Sequence, residues 1–63
     1  DYSGSLSDFN SAIENYPTDA ITYFYRGTVK YKLGNKKGAC IDWLKASEFG
    51  YVEANSNLQK YCD

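Results

Sequence analysis

Apolar residues recur along this chain at intervals of three and four positions, the spacing of one face of an α-helix. The pattern predicts four helices, over residues 2–15, 19–33, 36–48 and 52–62. Pro17 ends the first, because proline disfavours helix at the residue before it, and Gly34 and Gly50 follow the second and third, where a left-handed residue is favoured. Connections of about two to four residues force neighbouring helices to be antiparallel. We therefore expect an all-α fold of four antiparallel helices.

Polar residues stand at the predicted starts of the first three helices. We expect Asp1, Thr18 and Asn35 to be the N-caps, because their side-chain oxygens can accept hydrogen bonds from the unpaired N–H groups of a first turn. The predicted starts of these three helices therefore have a local chemical cause in addition to the apolar spacing.

The chain also matches itself when it is shifted by 34 residues. The identical pairs are Gly4 with Gly38, Asp8 with Asp42, Ala12 with Ala46, and Glu14 with Glu48. The similar pairs are Asp1 with Asn35, Ser5 with Ala39, and Phe9 with Trp43. A period of 34 residues is the length of one helix–turn–helix solenoid unit, so the match indicates a repeat architecture.

These residues resemble a tetratricopeptide repeat (TPR). The pattern that carries the resemblance is Tyr23, Phe24, Gly27 and Tyr31 in one helix, Gly34 and Asn35 in the turn, and Ala39, Trp43 and Ala46 in the next helix. The preceding half unit repeats it as Ser5, Phe9, Ala12 and Pro17. Tyr51 departs from it by standing where a closing proline would be, and the shorter link before the last helix also resembles the Sel1-like relatives of TPR.

The resemblance implies an antiparallel helix–turn–helix solenoid. Residues 1–17 would be the second helix of a preceding repeat, 18–50 one complete repeat, and 51–63 a terminal capping helix. Small residues let two helix backbones approach and an aromatic side chain fills the space between them. We therefore expect Trp43 to be among the most buried residues, with Gly27, Ala39 and Ala46 against it.

In this family the first helix of each unit lines a concave surface that holds a peptide or a partner helix. The residues expected on that surface are Ile21, Phe24, Thr28, Tyr31 and Lys32. We expect them to be available for binding, because Trp43 should be met by Tyr23 and Gly27 instead. The Lys, Asn and Arg clamp of some TPR proteins is absent, since Ile21, Phe24 and Thr28 stand at its places. The resemblance thus implies a protein–protein interaction module.

Two other functions compete with that interpretation. A purely structural C-terminal cap of a longer solenoid would explain the polar side of the last helix, which carries Asn55, Asn57, Gln59 and Lys60. An RNA-binding helical repeat would need a positive groove, and the net charge of −1 with an apolar groove disfavours it. The sequence therefore favours a protein or peptide partner over nucleic acid.

Residues suited to catalysis are scarce. The chain has no histidine, and its two cysteines form no CxxC pair, so we expect no enzyme activity, metal site or cofactor. The carboxylates Asp8, Glu14, Asp42 and Glu48 are expected on solvated outer helix faces. The lysines around the second turn are expected to be solvated as well; they are Lys30, Lys32, Lys36 and Lys37.

Length and composition limit the remaining possibilities. A chain of 63 residues forms one domain at most, and no apolar run approaches the roughly 20 residues that span a bilayer. No signal peptide is recognisable, and the start at Asp1 without any Met favours a fragment or a processed piece. The first helix would then lack its preceding partner, so we expect association through Leu6, Phe9 and Ile13, either self-association or docking of another chain.

The two cysteines are expected to be neighbours. Cys40 lies ten residues before Gly50 and Cys62 twelve after it, so an antiparallel hairpin brings them level. A disulfide there would stabilise by about 3 kcal/mol and would favour an exported location such as a periplasm. The alternative is two buried thiols in a cytosolic protein.

Overall fold

A computed structural model describes the backbone of residues 2–62 and the side chains of residues 4–62. It contains four helices: α1 Tyr2–Asn15, α2 Ala20–Lys32, α3 Lys36–Glu48 and α4 Ala54–Tyr61. No strand occurs within that described part of the chain. The expectation of an all-α fold with four helices is confirmed.

The helices pack in chain order, α1 on α2, α2 on α3 and α3 on α4, and the α2–α3 contact is the most extensive. Tyr23, early in α2, contacts Phe49 just beyond α3, whereas Gly27 lies against Ala39 near the start of α3. These two helices are therefore antiparallel. The Cα atoms extend 28 × 25 × 14 Å, and the short dimension corresponds to about two layers of helices.

Helices α2 and α3 end in the same way. The N–H groups of Gly34 and Asn35 donate to the carbonyls of Tyr31 and Lys30, and those of Gly50 and Tyr51 donate to the carbonyls of Ser47 and Ala46. This pair of bonds is the Schellman motif, which requires a left-handed residue just past the helix. Gly34 has φ +91° and Gly50 has φ +111°, as the sequence predicted.

The N-cap predictions had different outcomes. The Asn35 side chain accepts from the N–H of Gly38 at 2.9 Å, which confirms it as the cap of α3. The prediction that Thr18 caps α2 was wrong. Asp19 is the N-cap, because its backbone is extended and its carbonyl accepts from the N–H of Tyr23. Asp1 lies outside the described residues.

Helix α4 starts two residues later than predicted. The N–H of Tyr51 donates a hydrogen bond to the carbonyl of Ala46, which keeps Tyr51 at the end of α3. The N–H of Ala54 in turn donates to the Tyr51 carbonyl at 3.1 Å. Residues 52 and 53 therefore form a turn instead of helix. Ala54, the first helical residue, is fully buried, so α4 begins where the chain reaches the core.

The core is centred on Trp43, which is 1% exposed, together with Tyr23, Ala39, Ala46 and Ala54. A Cβ atom on Gly27 would lie 2.9 Å from the Trp43 ring, so glycine is required where the two helices touch. The predicted burial of Trp43 against small residues is confirmed.

Candidate interaction surface

A cleft of about 430 Å³ opens beside the buried tryptophan. Three helices contribute to this aromatic cleft, which is lined by Thr28, Tyr31, Lys32, Trp43, Asn57 and Tyr61. It combines aromatic rings with polar groups, a composition typical of a recognition site.

Three aromatic rings form one wall of the aromatic cleft. The ring centroids of Tyr31 and Tyr61 are 4.8 Å apart, and each lies 5.7 Å from the Trp43 ring. The ring of Tyr61 also has Lys60 over it, with Nζ 5.4 Å from the centroid. Mutual packing holds the rings in place, so a ligand would meet a rigid apolar surface.

Polar groups stand on the other sides of the aromatic cleft. Lys32 is exposed and forms no ion pair with any described residue, and Asn57 presents an amide from α4. The hydroxyl of Thr28 donates to the carbonyl of Phe24 at 3.1 Å, so it is already used within α2. Lys32 and Asn57 thus offer a ligand a cation and an amide.

The residues predicted to bind a partner separate into two groups. Thr28, Tyr31 and Lys32 line the aromatic cleft together. Phe24 does not line it; its ring packs on that of Tyr51 at 4.9 Å. Ile21 is 49% exposed and also lies outside the cleft.

The expectation that these residues are independent of Trp43 was wrong. The indole Nε1 of Trp43 donates to the Phe24 carbonyl at 3.2 Å, and Tyr31 packs directly on the indole ring. The cause is the size of the indole, which reaches past Gly27 to the next turns of α2.

Helix α4 supplies residues that sequence analysis missed. Tyr61 and Asn57 line the aromatic cleft, although Asn57 had been assigned to the polar side of the last helix. The signal was their spacing of four, which puts both on one face of the helix. Without the angle between α4 and α2, that face could not be assigned.

A disulfide fixes α4 to α3. Cys40 and Cys62 are bonded with an S–S distance of 2.12 Å and a Cα–Cα distance of 5.8 Å, which confirms the predicted pairing. Cys62 directly follows Tyr61. The bridge therefore anchors the end of α4 that carries one wall of the aromatic cleft.

A buried ion pair lies elsewhere on α3, and it corrects the expectation that Asp42 is solvated. Asp42 is 1% exposed and accepts from Arg26 Nε at 2.8 Å and from Arg26 Nη2 at 2.7 Å. Lys30 Nζ lies 3.2 Å from Oδ2 of the same carboxylate, so Lys30 is ion-paired and the expectation that it is solvated was wrong as well. The outer-face prediction failed because α2 covers this side of α3.

The same arginine connects three helices. Arg26 Nη1 donates to Asn10 Oδ1 of α1 at 3.0 Å, and its guanidinium lies 5.3 Å from the ring centroid of Tyr23. The hydrogen bonds that Arg26 donates to Asp42 raise the pKa of Arg26 above its usual value, against the opposing effect of burial. No buried side-chain nitrogen or oxygen of this network lacks a hydrogen-bond partner, so the network connects the helices structurally.

Other kinds of site are not found in the described residues. No group of three or more possible metal ligands occurs among them. None of the helices there has the length and apolar character needed to cross a bilayer.

Comparison of the chain with protein-family models, with curated proteins and with solved structures found no match.

Proposed function

We propose that this chain is a protein–protein interaction module of the TPR type, which binds a peptide segment of its partner in the aromatic cleft. The supporting observation is the convergence of Thr28, Tyr31 and Lys32 with two residues of α4 around one opening. The 34-residue self-match supports a helix–turn–helix solenoid as the underlying architecture.

The lining of the aromatic cleft suggests which peptide chemistry it takes. An apolar or aromatic side chain would pack on Tyr31 and Tyr61, because rigid aromatic surface gives contact area at low entropic cost. A carboxylate or a backbone carbonyl of the peptide would pair with Lys32 and Asn57. We therefore propose a segment with an apolar anchor close to an acidic residue.

The disulfide bears on both the location and the competing function. A bridge that persists favours an oxidising compartment, so we propose an exported protein. The same bridge, with the exposed polar residues Asn55, Gln59 and Lys60, is the observation that favours a purely structural terminal cap. A cap would need α4 anchored but would need no ligand in the cleft.

Selection from a displayed random-peptide library, followed by affinity measurements on variants, tests the proposal. Lys32→Glu should weaken selected peptides by about 3- to 10-fold, because it reverses an exposed charge at the cleft. Lys45→Glu makes the same charge change on an exposed position of α3 outside the cleft and serves as the control. Both variants should unfold at the wild-type denaturant concentration.

The structural-cap function would give a different result. No peptide would be enriched, or the enriched peptides would lose equal affinity with Lys32→Glu and Lys45→Glu. Either result would reject the aromatic cleft as a binding site.

A further inference from the structure

A second concave surface lies on another side of the molecule. It is a groove of about 580 Å³ between α3 and α4, and its surface is almost entirely apolar. Ile41, Leu44 and Leu58 line this outer groove together with the disulfide, and Lys36 and Lys37 stand at its end. Ile41 is 52% exposed and Leu44 51%, so two large aliphatic side chains are left half in water.

The residues on this side of α3 follow a symmetric order. Lys37, Ile41, Leu44 and Glu48 are separated by four, three and four positions, so they form one stripe along the helix. This α3 stripe lies opposite the buried face that carries Trp43. It has a cation at one end, an anion at the other, and two aliphatic residues between them.

Such a stripe is complementary to itself. A two-fold axis perpendicular to α3, beside its surface and level with the midpoint between Ile41 and Leu44, places each of these residues against the other in a second, antiparallel copy. The same operation places Lys37 of each copy opposite Glu48 of the other, because both lie four residues outside the aliphatic pair. Within the described part of the chain neither of these charged residues has an ion-pair partner.

We propose that the chain forms a two-fold symmetric homodimer through the α3 stripe, with the outer grooves of the two copies facing each other. The charge order selects a second copy as the occupant, because each charged end of the stripe meets its opposite only in the antiparallel arrangement. The disulfide holds α4 beside α3, so Leu58 adds to the apolar surface that the partner covers.

The expected dimer is a weak one. A typical stable interface buries about 800 Å² per partner, which is about a fifth of the 4092 Å² accessible surface of this chain. We expect one helix stripe and the adjoining groove to bury less than that. We therefore expect association at micromolar concentrations or above, and we expect salt to weaken it because both ion pairs lie at the rim.

Sedimentation of the intact, oxidised chain over a range of concentrations tests the proposal. Lys37→Glu and Glu48→Lys should each weaken self-association at least about tenfold, because each converts two attractive contacts into repulsive ones. An equimolar mixture of these two variants should associate again, since every cross-contact then joins opposite charges. The variant that carries both changes should also dimerise.

Two further variants make the test specific. Asp8→Lys makes on α1 the charge change that Glu48→Lys makes on α3. Lys32→Glu makes the same charge change as Lys37→Glu, at a position outside the α3 stripe. Neither Asp8→Lys nor Lys32→Glu should alter the dimer. A strict monomer at all concentrations would overturn the proposal. It would be overturned equally if the outer groove of that monomer bound another protein or an apolar small molecule. Failure of the mixture to restore association, or a loss with Asp8→Lys alone, would also overturn it.

Discussion

Helices α1 and α3 carry matching sequences but lie in different environments. Phe9 of α1 is half-buried, whereas its counterpart Trp43 is 1% exposed. Ala12 is half-buried and Ala46 fully buried. Asp8 is exposed, whereas Asp42 is buried and paired with Arg26.

The difference follows from the neighbours of each helix. Helix α3 packs against α2 on one side and α4 on the other, while α1 has its main contacts with α2. A repeated pattern thus specifies which face of a helix can be buried, and the number of adjoining helices decides how far that face is buried. The following predictions test this explanation.

The largest difference should appear at the aromatic pair. Trp43→Ala should cost about 3–5 kcal/mol, since it removes the centre of the core. Phe9→Ala should cost about 1 kcal/mol, because the ring is only half-buried. Urea unfolding followed by far-UV circular dichroism measures both, and Trp43→Phe serves if the alanine variant does not fold. Equal costs for Phe9→Ala and Trp43→Ala would show that the two environments are energetically alike.

A smaller difference should appear at the carboxylate pair. Asp42→Asn removes the negative charge that Arg26 and Lys30 share, which should cost about 2–3 kcal/mol. Asp8→Asn should change the free energy of unfolding by less than about 0.5 kcal/mol, since Asp8 is exposed. A double-mutant cycle with Arg26→Gln isolates the pair, and additive costs would argue against the ion pair.

The smallest effect concerns the start of α3. Asn35→Ala removes the acceptor for the N–H of Gly38 and should cost about 1 kcal/mol of unfolding free energy. Asn35→Asp keeps an acceptor and should restore most of the stability. Asn15→Ala, at the exposed end of α1, is the matched control. A cost for Asn35→Ala no greater than that of the control would rule out the cap as a stabilising contact.

The helices were largely predictable because their signals are local. The bounds of α1 and α3 agree with the apolar spacing, and Gly34 and Gly50 mark the ends of α2 and α3. The start of α4 was not predictable from local signals, because it depends on Tyr51 bonding back to Ala46. That contact exists only after α3 has formed.

The candidate site was only partly predictable for the same reason. Thr28, Tyr31 and Lys32 share one face of α2, and spacing alone reveals that. The role of α4 in the aromatic cleft depends on the angle at which two helices cross, and no residue pattern states that angle. Asp42 did have a weak signal: Arg26 and Lys30 put two cations four positions apart on α2, which favours an anion opposite them.

The bridge between Cys40 and Cys62 also determines how this molecule carries tension. A pull applied beyond Cys62 passes through the sulfur atoms into the middle of α3, so α4 is bypassed and is not peeled away. The chain between the cysteines, which are 22 positions apart, is hidden length of about 75 Å when extended, and only reduction makes it available. An oxidised chain is therefore short and stiff at this end, and a reduced chain is extensible.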